Sequence, residues 1–565
     1  MQNYVDGGEA VVQAFRSLDV DYVMASPGSE WGAVWEALAR QKVSNTPGPV
    51  YFSCAHETLA VDLAIGYTVI TGKAQAVMLH TGVGLLQGAM GIDGANRLGI
   101  PMVVLSGEAL TYGEKQGFDP GGQWQANLSV VGGPHRLAEP LVKWSSQASS
   151  TETLFQQIVS AGELAQRVPT GPTYLSVPIE TQLNEWNPPE EFRMAPPAPK
   201  PQPSHADIEK VAELLLNAKN PVILTEAAGR EPEGYAALID LAELLSIPVV
   251  DANQSTYANF PKEHPLYQGV GRPSCVDEAD LLLTVRCRAP FYPPGNKPSK
   301  ATIVAIDETP FRLHMVHHAA QADMFLEGNA VASLGLLADA VRASGVDAGV
   351  VEQRKSRWAA EHDKLWSARH AAEAEVSGNK KIHPMTLAVA MSEALPDNTF
   401  YVDETITHRG ILVRHLRNRG PQSYFRPQGG LGQGLGIALG IKLAARDRPV
   451  VVVVGDGAFM YNPVIQSLAL AQHENLPILV VIPNNDGYIA MKKEHQAFYP
   501  DGVSAANDLF YGRPITGLDY AEIAKLFGGF GKRVEDPADL PGALEEALAA
   551  IEGGKSAILN VMVDP

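Results

Sequence analysis

Short runs of apolar, mostly β-branched residues alternate along this chain with longer stretches in which apolar positions recur at three- and four-residue spacing. Runs of the first kind read as strands buried on both faces, and stretches of the second kind as helices. Their alternation is the pattern of βαβ units that build parallel sheets. The strands predicted are Tyr22–Met24, Val50–Cys54, Ala76–Leu79, Met102–Leu105, Thr173–Val177, Val222–Thr225, Val249–Asp251, Leu281–Val285, Thr302–Ile306, Phe400–Val402, Val450–Val454 and Ile478–Ile482. The fold class expected is therefore α/β, in the form of doubly wound parallel sheets.

Two breaks divide these strands into three groups. The stretch from Ala195 to Pro203 carries five prolines; each fixes its φ and lacks a donor, so the segment reads as an extended linker. The charged, helix-patterned segment Glu352–Asn379 separates the second group from the third, which resumes after His383-Pro384. The domains expected are 1–190, 204–345 and 380–565. Three domains also suit a length of 565 residues. Two glycine-rich turns that open apolar helices, Thr81–Gly88 and Gly430–Gly436, echo each other and suggest related folds for the first and third domains.

An apolar fraction of 45% is enough to bury large cores, and a net charge of −19 sets a field that repels phosphate backbones and anionic membranes. No nucleic-acid or membrane partner is expected. The longest apolar runs fall far short of the ~18 residues that would suggest a membrane span. The first residues carry no basic, then apolar, leader pattern, and the three cysteines match no zinc spacing. A cytoplasmic location is expected.

The chemistry concentrates near one strand. Val450–Val454 runs into Gly455-Asp456-Gly457-Ala458, Asn462-Pro463 reads as a helix start, and the next strand ends in Pro483-Asn484-Asn485-Asp486-Gly487. Asp456 and Asn485 thus lie just beyond the carboxyl ends of parallel strands, where open α/β sheets bind ligands. A carboxylate, an amide oxygen and the freed carbonyl of Gly487 are hard donors that suit Mg²⁺ or Ca²⁺ rather than zinc. Gly455, Gly457 and Ala458 would let backbone amides approach phosphate oxygens, with a helix dipole behind them. Alone, Gly-Asp-Gly is commonly a turn; joined through 26 residues to Asn-Asn, as strand, helix and strand, it is a pattern.

That pattern resembles the cofactor motif of thiamine diphosphate enzymes, and the three-domain layout resembles their pyruvate decarboxylase and acetohydroxyacid synthase branch. The resemblance implies that Asp456, Asn485 and the Gly487 carbonyl hold the metal that carries the diphosphate. It implies a homodimer or homotetramer. Glu57, in Ser53-Cys54-Ala55-His56-Glu57-Thr58, would hydrogen-bond the aminopyrimidine ring and promote removal of the thiazolium proton. Leu431 would wedge between the cofactor rings, the Gly429 carbonyl would hold the amino group, and Thr405 would meet the diphosphate.

Within the branch, Pro27-Gly28-Ser29 and Leu79-His80-Thr81-Gly82 resemble benzoylformate decarboxylase, which implies substrate orientation by Ser29 and proton shuttling by His80. The segment Arg286–Tyr292 has no histidine to match that enzyme's second one. Met491 stands where pyruvate decarboxylases carry a glutamate, which implies an apolar pocket wall. The activity expected is decarboxylation or lysis of a small 2-oxo acid. The alternatives are an acetolactate synthase-like carboligase and a noncatalytic protein of the same fold. The flavin of that carboligase group is not expected, because Arg286 occupies the position of the glycine that would let FAD approach.

Overall fold

The computed structural model describes residues 5–108, 132–291, 296–312, 321–417, 420–511 and 517–564. Among them are three six-stranded sheets in which all strand pairings are parallel. The first contains β1 (Tyr22–Ser26), β2 (Val50–Ser53), β3 (Gln75–Leu79), β4 (Met102–Glu108), β5 (Trp144–Gln147) and β6 (Pro172–Pro178). The second contains β7 (Pro221–Thr225), β8 (Val249–Asp251), β9 (Tyr267–Val270), β10 (Leu281–Val285), β11 (Thr302–Asp307) and β12 (Met324–Glu327). The third contains β13 (Phe400–Glu404), β14 (Tyr424–Phe425), β15 (Val450–Val454), β16 (Leu479–Asn484), β17 (Phe530–Val534) and β18 (Ala557–Met562).

Strand order bears on the echo between the two glycine-rich turns. The first sheet runs β2-β1-β3-β4-β6-β5 and the third β14-β13-β15-β16-β18-β17. Numbered within each sheet, these are the same order. The middle sheet differs, running β12-β11-β10-β7-β8-β9, the dinucleotide-fold order that reverses between its first and fourth strands.

Both glycine-rich segments supply helices beside one other helix, Glu57–Thr71. The Thr81–Leu98 and Gly434–Ala444 helices both pack on it. At its crossing with Gly434–Ala444 there is no room for side chains. A Cβ on Gly66 would lie 2.0 Å from the Ile437 carbonyl oxygen, and one on Gly440 would lie 2.1 Å from that of Leu63. Glycine here serves backbone-to-backbone approach.

The chain forms two compact units. One comprises Met1–Pro199, Pro427–Arg446 and Tyr461–Leu476, with the first sheet; the other comprises Lys200–Arg426, Asp447–Met460 and Pro477–Pro565, with the other two. The proline-rich stretch contains no helix or strand, and the charged segment is a 30-residue helix, Ala348–Ser377, capped by Asp347. No helix among the described residues is long and apolar enough to cross a membrane.

The helix start expected at Asn462-Pro463 needs correction. The helix begins at Val464 without a side-chain cap, and Asn462 Oδ1 instead accepts from the Leu435 amide, 3.0 Å away, at the start of the Gly434–Ala444 helix. What directly follows Gly455 is a single helical turn, Asp456–Phe459. The dipole expected behind the diphosphate loop is thus that of one turn, since only aligned peptides add to it.

Candidate cofactor and catalytic site

In the first and third sheets the order reverses beside the first strand, and the candidate residues follow the strands at that point. Ser26 at the end of β1 pairs with Leu79 at the end of β3. The chain beyond them carries Pro27-Gly28-Ser29-Glu30 on one side and His80 on the other. In the third sheet Glu404 of β13 pairs with Val454 of β15. Beyond them come Thr405 and Gly455-Asp456, while Asn485 follows β16, the next strand. Ligand crevices of open α/β sheets form at such reversals.

The first site brings His80 against the Pro-Gly-Ser turn through a residue that sequence reasoning passed over. Both carboxylate oxygens of Glu30 lie 3.0 Å from His80 Nδ1, and Oε1 also accepts from the Thr81 amide at 3.2 Å. Glu30 is 2% exposed. Its hydrogen bond, and then its charge and that of Glu57, raise the His80 pKa against the opposing effect of burial. Gly28 leaves the room for this pair, since a Cβ there would lie 2.0 Å from Nδ1. Thr81 holds φ at +35°, a strained backbone for a threonine. Ser29 opens a short 3₁₀ turn and is exposed.

Glu57 is the first residue of its helix, capped by His56 Nδ1 accepting from the Thr58 amide. A Cβ on Gly84 would lie 3.3 Å from Glu57 Oε1 and 3.2 Å from His80 Cβ, so the two candidates flank that glycine. Gly429 has φ +128° and Leu431 is half-buried.

In the other unit, Asp456 is 3% exposed and its Oδ2 accepts from the Gly487 amide at 2.8 Å. Burial pushes its carboxyl up to about 6, although backbone amides of Gly487, Gly457 and its own residue oppose this, and the like charge of Asp486 adds to the rise. A bound cation would hold such a carboxylate ionised. Asn485, 6% exposed, leaves Oδ1 without a hydrogen bond among the described residues.

Asp486 at φ +60° and Gly487 at φ +143° turn the chain. The Gly487 carbonyl is not wholly free, because it accepts from the Ile489 amide at 2.9 Å, which leaves one lone pair for a metal. No cluster of three or more His, Cys, Asp and Glu side chains suited to a metal occurs among the described residues. The donors present, one carboxylate, one amide oxygen and one carbonyl, fit a hard cation that would complete its shell with water and phosphate oxygens.

Thr405 is buried, and its hydroxyl and amide both donate to Asp403 Oδ1, at 2.6 and 2.9 Å. Both of these donors are committed to that carboxylate, so a diphosphate could be met only by the hydroxyl turning away from Asp403. Gly455 is half-buried, Gly457 and Ala458 lie in the single turn after β15, and Met491 is 50% exposed on the Ile489–Phe498 helix. His408, which sequence reasoning did not select, contacts Asn485.

Three family models match along the chain. The thiamine pyrophosphate enzyme N-terminal TPP binding domain matches residues 5–127, the central domain 208–337 and the C-terminal TPP binding domain 407–561. The chain belongs to the thiamine pyrophosphate enzymes. Among relatives, acetolactate synthase isozyme 3 large subunit of Escherichia coli K12 is 26% identical, over 99% of this chain and 95% of its own. Benzoylformate decarboxylase of Pseudomonas aeruginosa is 27% identical, over 88% and 90%. Two solved structures share the fold: a thiamine diphosphate-dependent 4-hydroxybenzoylformate decarboxylase from Rhodococcus jostii RHA1, with TM-score 0.78, 24% identity and 99% of each chain covered, and benzoylformate decarboxylase from Polynucleobacter necessarius, with TM-score 0.79, 20% identity and the same coverage.

The middle sheet of this family member has its own crevice, between β7 and β10. Ion pairs among the chain's own side chains lie at the ends of these strands. Arg286 is buried at φ +48° and pairs with Glu231 and Glu308, Arg288 pairs with Glu226, and Arg312 with Asp307. Burial would raise the Glu308 pKa, but the Arg286 charge and hydrogen bond bring it down to about 2.

Proposed function

We propose that this enzyme holds thiamine diphosphate through Mg²⁺, or Ca²⁺ in its place, and decarboxylates a small 2-oxo acid with an apolar side chain. The observation that carries this reading is the buried pair of Asp456 and Asn485, a carboxylate whose pKa burial raises and an amide oxygen that accepts no hydrogen bond among the described residues. When bound, the cofactor supplies an electron sink for the carbon that loses carbon dioxide.

The family resemblance, together with the geometry, supports the following part for the chain's own residues. Asp456, Asn485 Oδ1 and the second lone pair of the Gly487 carbonyl bind the cation, and the amides around Gly455, Gly457 and Ala458 meet the diphosphate, joined by the Thr405 hydroxyl once it turns from Asp403. Glu57 shares a proton with the aminopyrimidine nitrogen, Gly429 and Leu431 set the bend of the cofactor, and Met491 lines the substrate side. His80 has Nδ1 committed to Glu30, so its proton traffic runs through Nε2. The raised pKa keeps that nitrogen protonated closer to neutral pH, as a group that delivers a proton must be. Ser29 orients the substrate's carboxylate or carbonyl.

By family resemblance Glu57 and Asp456 of one centre come from different copies in a homodimer or homotetramer. The pairing of Arg286, at the position where flavin-binding relatives are expected to carry glycine, with Glu231 and Glu308 favours a reading without flavin. Three buried free thiols suit a reducing, cytoplasmic setting.

One observation favours carboligation as a second reading: the segment Arg286–Tyr292 has no histidine. Incubation of magnesium- and thiamine diphosphate-loaded protein with a panel of 2-oxo acids, followed by mass spectrometry, separates the two. Aldehyde and carbon dioxide support the first reading, and acyloin or 2-hydroxy acid products the second. A loaded protein that turns over none of them would support the noncatalytic reading.

A further inference from the structure

Asn485 is held in place from another loop. Its Nδ2 lies 3.0 Å from Nε2 of His408, and both residues are buried, His408 at 4% exposure. An amide nitrogen can only donate, so the ring nitrogen it meets accepts, and the ring proton sits on Nδ1. A carboxamide is planar, so holding its nitrogen fixes the direction of its oxygen. Turned over, the same group would present NH₂, which has no lone pair for a cation. The backbone of His408 is also anchored: its carbonyl accepts from the Ile411 and Leu412 amides, both at 3.0 Å, at the start of the Arg409–His415 helix.

We propose that His408 is a positioning residue of the cation site. By accepting from Nδ2 it aims the unpartnered Oδ1 of Asn485 at the cation. The proposal rests on the reading of Asp456, Asn485 and Gly487 as cation ligands. Partners of this kind typically change metal affinity by about 10- to 100-fold when removed. A glutamine at position 408 keeps an acceptor oxygen at a similar reach, whereas a leucine fills the space with none.

The test measures Mn²⁺ binding in the presence of saturating thiamine diphosphate, from the electron paramagnetic resonance signal of free Mn²⁺. His408→Leu should weaken Mn²⁺ by about 10- to 100-fold, and His408→Gln should recover most of that loss. Asp456→Ala should abolish binding whatever stands at 408. If His408→Leu bound Mn²⁺ as the unsubstituted protein does while Asp456→Ala did not, the positioning role would be refuted and the cation site would stand. If Asp456→Ala also bound normally, the site reading would fall and the proposal with it. Nitrogen-15 spectra of histidine-labelled holoprotein provide a check that needs no substitution. They should show His408 protonated on Nδ1, and a proton on Nε2 would overturn the proposal.

Discussion

Glu30 and His80 stand 50 residues apart in sequence and meet at 3.0 Å, with both carboxylate oxygens on the same ring nitrogen. They meet because β1 and β3 are neighbours in the sheet, so the residues just beyond them emerge side by side. The contact leaves His80 one nitrogen for chemistry and moves its titration upward.

Glu30→Gln keeps the shape and an acceptor oxygen but removes the charge. The His80 pKa should fall, so that Nε2 loses its proton at lower pH. The basic limb of kcat/KM against pH should move to lower pH if protonated His80 is needed. The stability term has the same origin. His80 is raised above its unfolded value near ~6.5, so its contribution is full below that pH and is lost as pH rises through the folded value. Guanidinium melts of both proteins across that window should converge as pH rises.

Glu57→Gln and His80→Ala should separate cofactor activation from substrate handling. Glu57→Gln should slow hydrogen–deuterium exchange at the reactive thiazolium carbon by roughly 10² to 10⁴-fold, the range for losing an acid–base group. His80→Ala should leave that exchange largely intact and slow turnover. Equal exchange defects in the two variants would contradict the division of labour.

Gly440→Val should destabilise the crossing of the Glu57–Thr71 and Gly434–Ala444 helices by about 1–3 kcal/mol or more, because its Cβ would sit 2.1 Å from a carbonyl oxygen that cannot swing aside. Gly378→Ala, where a Cβ has nothing within 4 Å, is the control and should stay within about 0.5 kcal/mol. Urea denaturation midpoints of the two variants decide it.

Lys262 tests a buried charge that none of the proposed chemistry uses. Its Nζ donates to the carbonyls of Val413 at 2.6 Å and Leu416 at 2.8 Å, and burial lowers its pKa to about 7 despite the opposing charge of Asp251. The folded value lies below the unfolded ~10.4, so between them the unfolded chain binds more protons and stability rises with pH. Denaturation midpoints should therefore rise from about pH 7 to about pH 10 more steeply than in Lys262→Met. Parallel pH dependences would show that the lysine is not depressed.

The central strands were legible because a strand buried on both faces must be apolar throughout; Val450–Val454 is the clearest case. β5, β9, β12, β14 and β17 were not, and each lies at a sheet edge, where short, mixed-polarity segments suffice because one side has no neighbour. β18 is internal but carries the polar Asn560, which is buried and bonded to Asn484. The motif from Gly455 to Asn485 was visible because a carboxylate and an amide at strand ends follow from local pattern alone.

What the sequence determined by itself was the α/β class and a motif that resembles that of the thiamine diphosphate enzymes, since the class depends on residue type and periodicity and the motif lies along one βαβ unit. Tertiary structure decided which side chains complete them. Glu30 and His408 act on partners 50 and 77 residues away, across neighbouring strand ends and loops, and their roles come from distances that no local pattern encodes. It also decided what Arg286 pairs with, because that depends on Glu231 and Glu308 arriving from other parts of the second sheet. Local sequence sets which groups are available; sheet order sets which of them touch.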